Sequence, residues 1–133
     1  MEYAIGVVLA LVLSLAAHWI GFDRDKAFYP TILVVIASYY ALFAVMGGSL
    51  EALAVEVAVA TGFLVLAIGG FKLSPWIIVA ALLGHGLYDG FHPVSNPGVP
   101  AWWPGFCLGY DLAAAAFLSW LILQRRGRRL RMD

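Results

Sequence analysis

Six ionisable side chains stand inside otherwise apolar stretches of the sequence: Glu51, Glu56, His85, Asp89, His92 and Asp111. A charge at membrane depth costs about 2.5–3.5 kcal/mol on insertion scales, so such residues tend to mark function. Three of them fall in one segment, His85-Gly-Leu-Tyr-Asp89-Gly-Phe-His92. At helical periodicity, steps of four and three keep these side chains within roughly 60° of one another. Imidazole and carboxylate on one rigid face are what a metal site requires. Cys107 and Asp111 share a face of a later segment by the same spacing, and the two faces can meet. His85 and His92 are about 10.5 Å apart along a helix axis, too far to bind one ion together. The expected site is therefore metal-ligating His85, Asp89 and Asp111, with His92 as a further ligand or a general base. Glu56 is the spare carboxylate for proton transfer. A two-metal carboxylate site uses one i, i+3 acid–histidine pair on each of two helices, and only Asp89-x-x-His92 has that spacing.

The elements that must hold these groups are apolar and long. Segments of about 20 apolar residues span the hydrocarbon core, and five qualify: 3–22, 29–47, 50–71, 75–92 and 105–124. Pro30 suits a first helical turn, Ser49 an N-cap with Glu51 behind it, and Ser74-Pro75 another helix start. The prolines from Pro93 to Pro104 break the chain into an irregular loop. The expectation is an all-α, polytopic bundle of about five transmembrane helices forming a single domain over 1–133. The alternative is four helices, since only Gly47-Gly48-Ser49 separates the second from the third. Gly62, Gly69, Gly84, Gly86 and Gly109 read as points of close helix approach.

Composition leaves little room for another class. Of 133 residues, 63% are hydrophobic and 12% charged, about half the charge of a typical soluble domain. The partner is the lipid bilayer, and nothing suggests nucleic acid. One cysteine excludes an internal disulfide and paired-cysteine zinc motifs. The first apolar run, preceded by Glu2, reads as a retained helix rather than a signal peptide. Five spans put all eight Lys and Arg residues on one side, giving a cell-membrane protein with a cytoplasmic C-terminus and an extracytoplasmic N-terminus. Arg125, Arg126, Arg128, Arg129 and Arg131 read as a topological anchor. Trp19, Trp76 and Trp120 fall near the inner interface, and Trp102 and Trp103 at the outer one. His18 reads as interfacial, and Tyr39, Tyr40, Tyr88 and Tyr110 as packing residues, with lining of the polar site as the alternative.

The stretch from His85 to Asp111 resembles a family of small, uncharacterised bacterial multipass membrane proteins. The shared pattern is a His-x3-Asp-x2-His helix, an Asn-Pro-x-x-Pro loop and a later Cys-x3-Asp. Here these are His85, Asp89 and His92; Asn96 to Pro100; and Cys107 with Asp111. Many relatives have a second histidine after the helix motif, where this chain has Pro93, so no ligand role follows for that position. The resemblance covers about the last third of the chain and implies only that these residues act together. A looser analogy connects the chain to membrane hydrolases of the ceramidase and adiponectin-receptor type, which gather His and Asp around zinc within one leaflet.

Three functions remain open at this level. The first is a metal-dependent hydrolase or oxidase, with zinc or iron near the extracytoplasmic side and a lipid-like substrate. A bound metal ion would generate hydroxide near neutral pH. The second is a small transport or accessory subunit, working as a homo-oligomer, whose buried acids and histidines pass protons or metal ions. The third is a structural membrane protein in which a non-catalytic polar clamp pins helices together.

Overall fold

The computed structural model describes residues 1–91 and 96–131. Five helices follow in order: α1 (Glu2–Ile20), α2 (Phe28–Met46), α3 (Leu50–Lys72), α4 (Pro75–Phe91) and α5 (Trp103–Leu130). The fold is the all-α bundle expected from the five apolar runs. Four helices, α1, α2, α3 and α5, are long and apolar enough to cross a membrane. α4 has 17 described residues, at the lower limit for a span. His92 lies outside the described residues.

Local chemistry sets the helix ends. The Ser49 hydroxyl accepts from the Ala52 N–H at 3.1 Å, with Glu51 in the first turn of α3. α1 stops at Ile20 rather than at 22, because Gly21 turns into the left-handed region at φ 91°. There the Gly21 and Phe22 N–H groups both close on the Ala17 carbonyl at 2.9 Å, as at a glycine C-terminus. α5 departs most from its expected range. It starts at Trp103 with proline in its first turn and runs on through the arginines to Leu130. Its length is about 42 Å, against roughly 30 Å of hydrocarbon. The last turns therefore stand beyond the lipid, where arginine is a good helix former.

α5 is the hub. It packs against α1 on one side and α4 on another, while α2 packs on α3 and both contact α4. α1 and α5 run in the same direction, with Gly109 against the Tyr3 backbone near one end and Arg125 against Asp23 at the other. Gly70, near the end of α3, meets Ile78, near the start of α4. This alternation brings Arg24, Lys26, Lys72 and the α5 arginines to one end of the bundle.

Burial is inverted relative to a soluble protein. α1 buries Gly6, Ala10, Ser14 and Ala17 and exposes Ile5, Val8, Leu11, Val12 and Leu15. Lipid suits both faces, since large apolar side chains meet acyl chains and small ones let backbones approach. The close approaches differ in part from those expected. A Cβ on Gly62 or Gly84 would meet open space, so these two glycines face outward. The tight contacts between helices fall at Gly109 and Gly86 as expected, the latter against Leu108 and Asp111, and also at Gly6, Gly70 and Gly105. Trp19, Trp76, Trp120 and Trp102 are exposed, as suits membrane interfaces. Trp103 is not. It is buried, with its ring 4.8 Å from Tyr39 and 5.0 Å from Phe43 between centroids.

Candidate functional site

His85 and Asp89 lie one turn apart on the buried face of α4, and Asp111 faces them from α5. Nδ1 of His85 is hydrogen-bonded to Oδ2 of Asp111 at 2.7 Å and lies 3.3 Å from Oδ2 of Asp89. The three residues are 1%, 2% and 0% exposed. From the α3 side the imidazole meets the Phe63 ring edge-on, at 4.9 Å between centroids. Gly86 opens the space for this meeting, because its missing Cβ would press on the Cβ of Asp111 at 3.3 Å.

The group is short of positive charge. One imidazolium can balance one of two carboxylates, and a buried charge left unpaired is costly. Both Asp89 oxygens and Oδ1 of Asp111 lack a well-aligned hydrogen bond among the described residues, although the Tyr40 hydroxyl and the Cys107 thiol lie beside the Asp89 carboxylate. The Asp89 contact to His85 is at ion-pair distance, and the same Nδ1 is engaged by Asp111. Such a cluster can in principle take up a further cation, a proton or a metal ion.

The donor set is capable in principle of holding a divalent metal. One ligand atom from each of His85, Asp89 and Asp111 lies within 4.8 Å of the others. Ligands about 2.0–2.2 Å from a tetrahedral ion stand roughly 3.4 Å apart, so the 2.7 Å His85–Asp111 contact is a hydrogen bond, not a ligand-to-ligand spacing. Metal entry would open that bond or use Oδ1 of Asp111.

Glu56 is buried as expected, but it joins a neighbouring group rather than this one. Tyr88 donates to Oε2 of Glu56 at 3.1 Å. The Asn96 amide donates to Oε1 of Glu56 at 3.4 Å and to the Tyr40 carbonyl at 3.0 Å. Tyr40 packs edge-on against Tyr88, with centroids 6.0 Å apart. Tyr88 is next to Asp89 in sequence, and Tyr40 and Cys107 both lie beside the Asp89 carboxylate. Polar groups from α2, α3, α4, α5 and the loop before α5 thus form one continuous region. Tyr40 and Tyr88, expected as packing residues, belong to it. So does Asn96, whose Oδ1 also accepts from the Gly98 N–H at 3.3 Å. Asn-Pro-Gly signalled a turn, but nothing local indicated that the asparagine side chain would turn inward.

A second polar group occupies the basic end. Asp23 is 3% exposed and lies 2.8 Å from Nδ1 of His18 and 3.4 Å from the Arg125 guanidinium, which also donates to the Asp23 carbonyl at 3.1 Å. His18 is half-buried and paired, not a solitary interfacial residue, and Asp23 is more than a helix-ending polar residue. No protein-family model, curated protein or solved structure matches this chain.

Proposed function

We propose that this is a small membrane transport or accessory subunit in which His85, Asp89 and Asp111 bind and release a cation, a proton or a divalent metal ion. The observation that carries the reading is one imidazole nitrogen placed 2.7 and 3.3 Å from two buried carboxylates. Such a group changes its charge by a single cation without rebuilding the helices around it. Glu56, with Tyr88 and Tyr40 beside Asp89, extends the path along the same level, and His92 follows α4 as a further proton acceptor. Alternating access uses paired repeats, and on this reading the working unit is a homo-oligomer.

A second reading keeps the metal and makes the site an enzyme. Three protein ligands with a place for water is the ligand count of catalytic zinc sites, and Glu56 and His92 would then serve proton transfer. Burial of all three ligands to 2% or less argues against it, since a lipid-like substrate needs a way in. A proton or bare ion needs far less.

Vesicles containing the purified chain decide between these readings. Wild-type protein is expected to collapse an imposed pH gradient, or to pass zinc or ferrous ion, faster than protein-free vesicles. His85→Ala is expected to abolish the flux. If the wild type shows no flux of any of the three and purifies free of metal, the cation reading fails and the polar clamp stands. Metal in the wild type without flux favours the enzyme.

The basic end is proposed to be cytoplasmic, on the grounds that loops retaining Lys and Arg stay inside. In a Cys107→Ser background, Ala101→Cys is expected to react with an impermeant maleimide in intact cells. Arg128→Cys is expected to react only after permeabilisation. The reverse pattern would invert the topology.

A further inference from the structure

At the basic end, a cavity of about 280 Å³ opens between the start of α2, the end of α3, the start of α4 and the end of α5. Its inner wall is apolar, formed by Ile78, Leu118, Leu121 and Ile122. Its remaining lining includes four cations, Lys26, Arg125, Arg126 and Arg129, and one carboxylate, Asp23. Arg125 is committed to Asp23, which His18 also engages. Lys26, Arg126 and Arg129 have no ion-pair partner among the described residues. The cavity therefore has an unbalanced positive charge over a greasy interior.

Two further features point to a ligand. Tyr29 is 4% exposed and lines the cavity; its hydroxyl lies beside Ser14 and near Asp23 but has no well-aligned hydrogen bond among the described residues. A buried hydroxyl rarely goes unbonded in a native structure, and an acceptor in the cavity would satisfy it. Lys26 has a positive φ of 66°, an uncommon conformation for a residue with a side chain. Backbone held in such regions clusters at ligand sites.

We infer that this cavity binds the phosphate headgroup of an anionic phospholipid, with Lys26, Arg126, Arg129 and the Tyr29 hydroxyl around the phosphate and the first part of an acyl chain against Ile78 and Leu121. The apolar wall selects a lipid over free phosphate, which would leave that surface uncovered. The unpaired cations select an anionic lipid over a zwitterionic one, and basic pockets between transmembrane helices bind such headgroups. The arginines at the end of α5 thus divide by face. Arg126 and Arg129 turn to the cavity, while Arg128 and Arg131 line a separate surface hollow with Gln124 and Gly127. The site lies at the opposite end of the bundle from Asp89 and Asp111 and does not depend on the cation reading.

The test uses the full chain, delipidated in a non-ionic detergent, with thermal unfolding and native mass spectrometry as readouts. Short-chain phosphatidylglycerol is expected to raise Tm and to remain bound one-to-one. Phosphatidylcholine of the same chain length and inorganic phosphate are expected to do neither. Arg126→Gln with Arg129→Gln is expected to weaken phosphatidylglycerol roughly 25-fold, about fivefold for each basic group removed. The charge-matched pair Arg128→Gln with Arg131→Gln is expected to change it less than about threefold. Tyr29→Phe is expected to weaken binding without altering the folded protein's helicity. Equal losses in the two arginine pairs would reduce the effect to diffuse surface charge and overturn the site. Phosphatidylcholine or free phosphate binding as tightly as phosphatidylglycerol would overturn the proposed ligand.

Discussion

Replacing His85 by leucine is expected to cost about 3–5 kcal/mol of folding stability, the penalty for breaking a buried ion pair from one side. The reason is electrostatic. Leucine is of similar bulk, so packing against Phe63 is largely kept, but Asp89 and Asp111 are left facing each other with no cation between them. Neither is more than 2% exposed, so water cannot take the place of the imidazole. The change is to be measured as a shift in the unfolding midpoint in detergent. The companion experiment separates charge from shape. In a triple variant, His85→Leu with Asp89→Leu and Asp111→Leu, no buried charge remains. Replacing a whole buried charged group by apolar residues is often neutral or stabilising, so stability is expected to return to within about 1 kcal/mol of wild type. Cation flux should stay absent. A triple variant as unstable as the single one would mean that His85 acts by packing alone. A stable triple variant without flux makes the polar group dispensable for folding and necessary for function, the opposite of a structural clamp.

Much of this centre was legible in the sequence, because its logic is local. His85 and Asp89 are one helical turn apart, and α4 and α5 are consecutive antiparallel elements, so Asp111 had to return to a similar level. Convergence could be read from spacing and topology alone. The parts that were not legible depend on contacts between distant segments. Asp23 sits in a polar run that reads as a loop, and its burial depends on Arg125, 102 residues away. Asn96 turns inward because the Tyr40 carbonyl and Glu56 await it there, and neither is near it in the chain. The end of α5 was misplaced for another reason. Apolar run length locates where a helix leaves lipid, not where it stops, and the arginine stretch continues the helix in water. Glycines show the same limit from another side. Composition identifies residues that permit close approach, but only the assembled bundle shows which of them have a neighbour. Gly62 and Gly84 have none within 4 Å, whereas Gly6 and Gly109 face backbone directly.

That contrast among the glycines predicts the second large effect. Gly109→Val is expected to separate α1 from α5 and to disable the polar centre with it. A Cβ at Gly109 would overlap the Tyr3 carbonyl oxygen, and one at Gly6 would overlap the Phe106 carbonyl oxygen and come within 2.9 Å of the Tyr110 nitrogen. These obstacles are backbone atoms of a neighbouring helix, so no rotamer change relieves them and the helices must move apart. The cost is expected to exceed the roughly 1–3 kcal/mol of ordinary overpacking, because dispersion between close backbones is the main attraction holding helices together in lipid. α1 has its principal contact with α5 and little else to keep it docked. Asp111 lies two residues beyond Gly109 on the same helix, so a shift of α5 there also disturbs the 2.7 Å contact to His85. The expected result for Gly109→Val is a strongly lowered unfolding midpoint together with lost cation flux. Gly84→Val, on a helix that itself carries His85, is the control. It adds the same side chain to an outward face and is expected to keep both properties. Equal damage from the two substitutions would show that valine harms these helices through their own backbone conformation. The α1–α5 approach would then lose its place as the contact that sets Asp111 against His85.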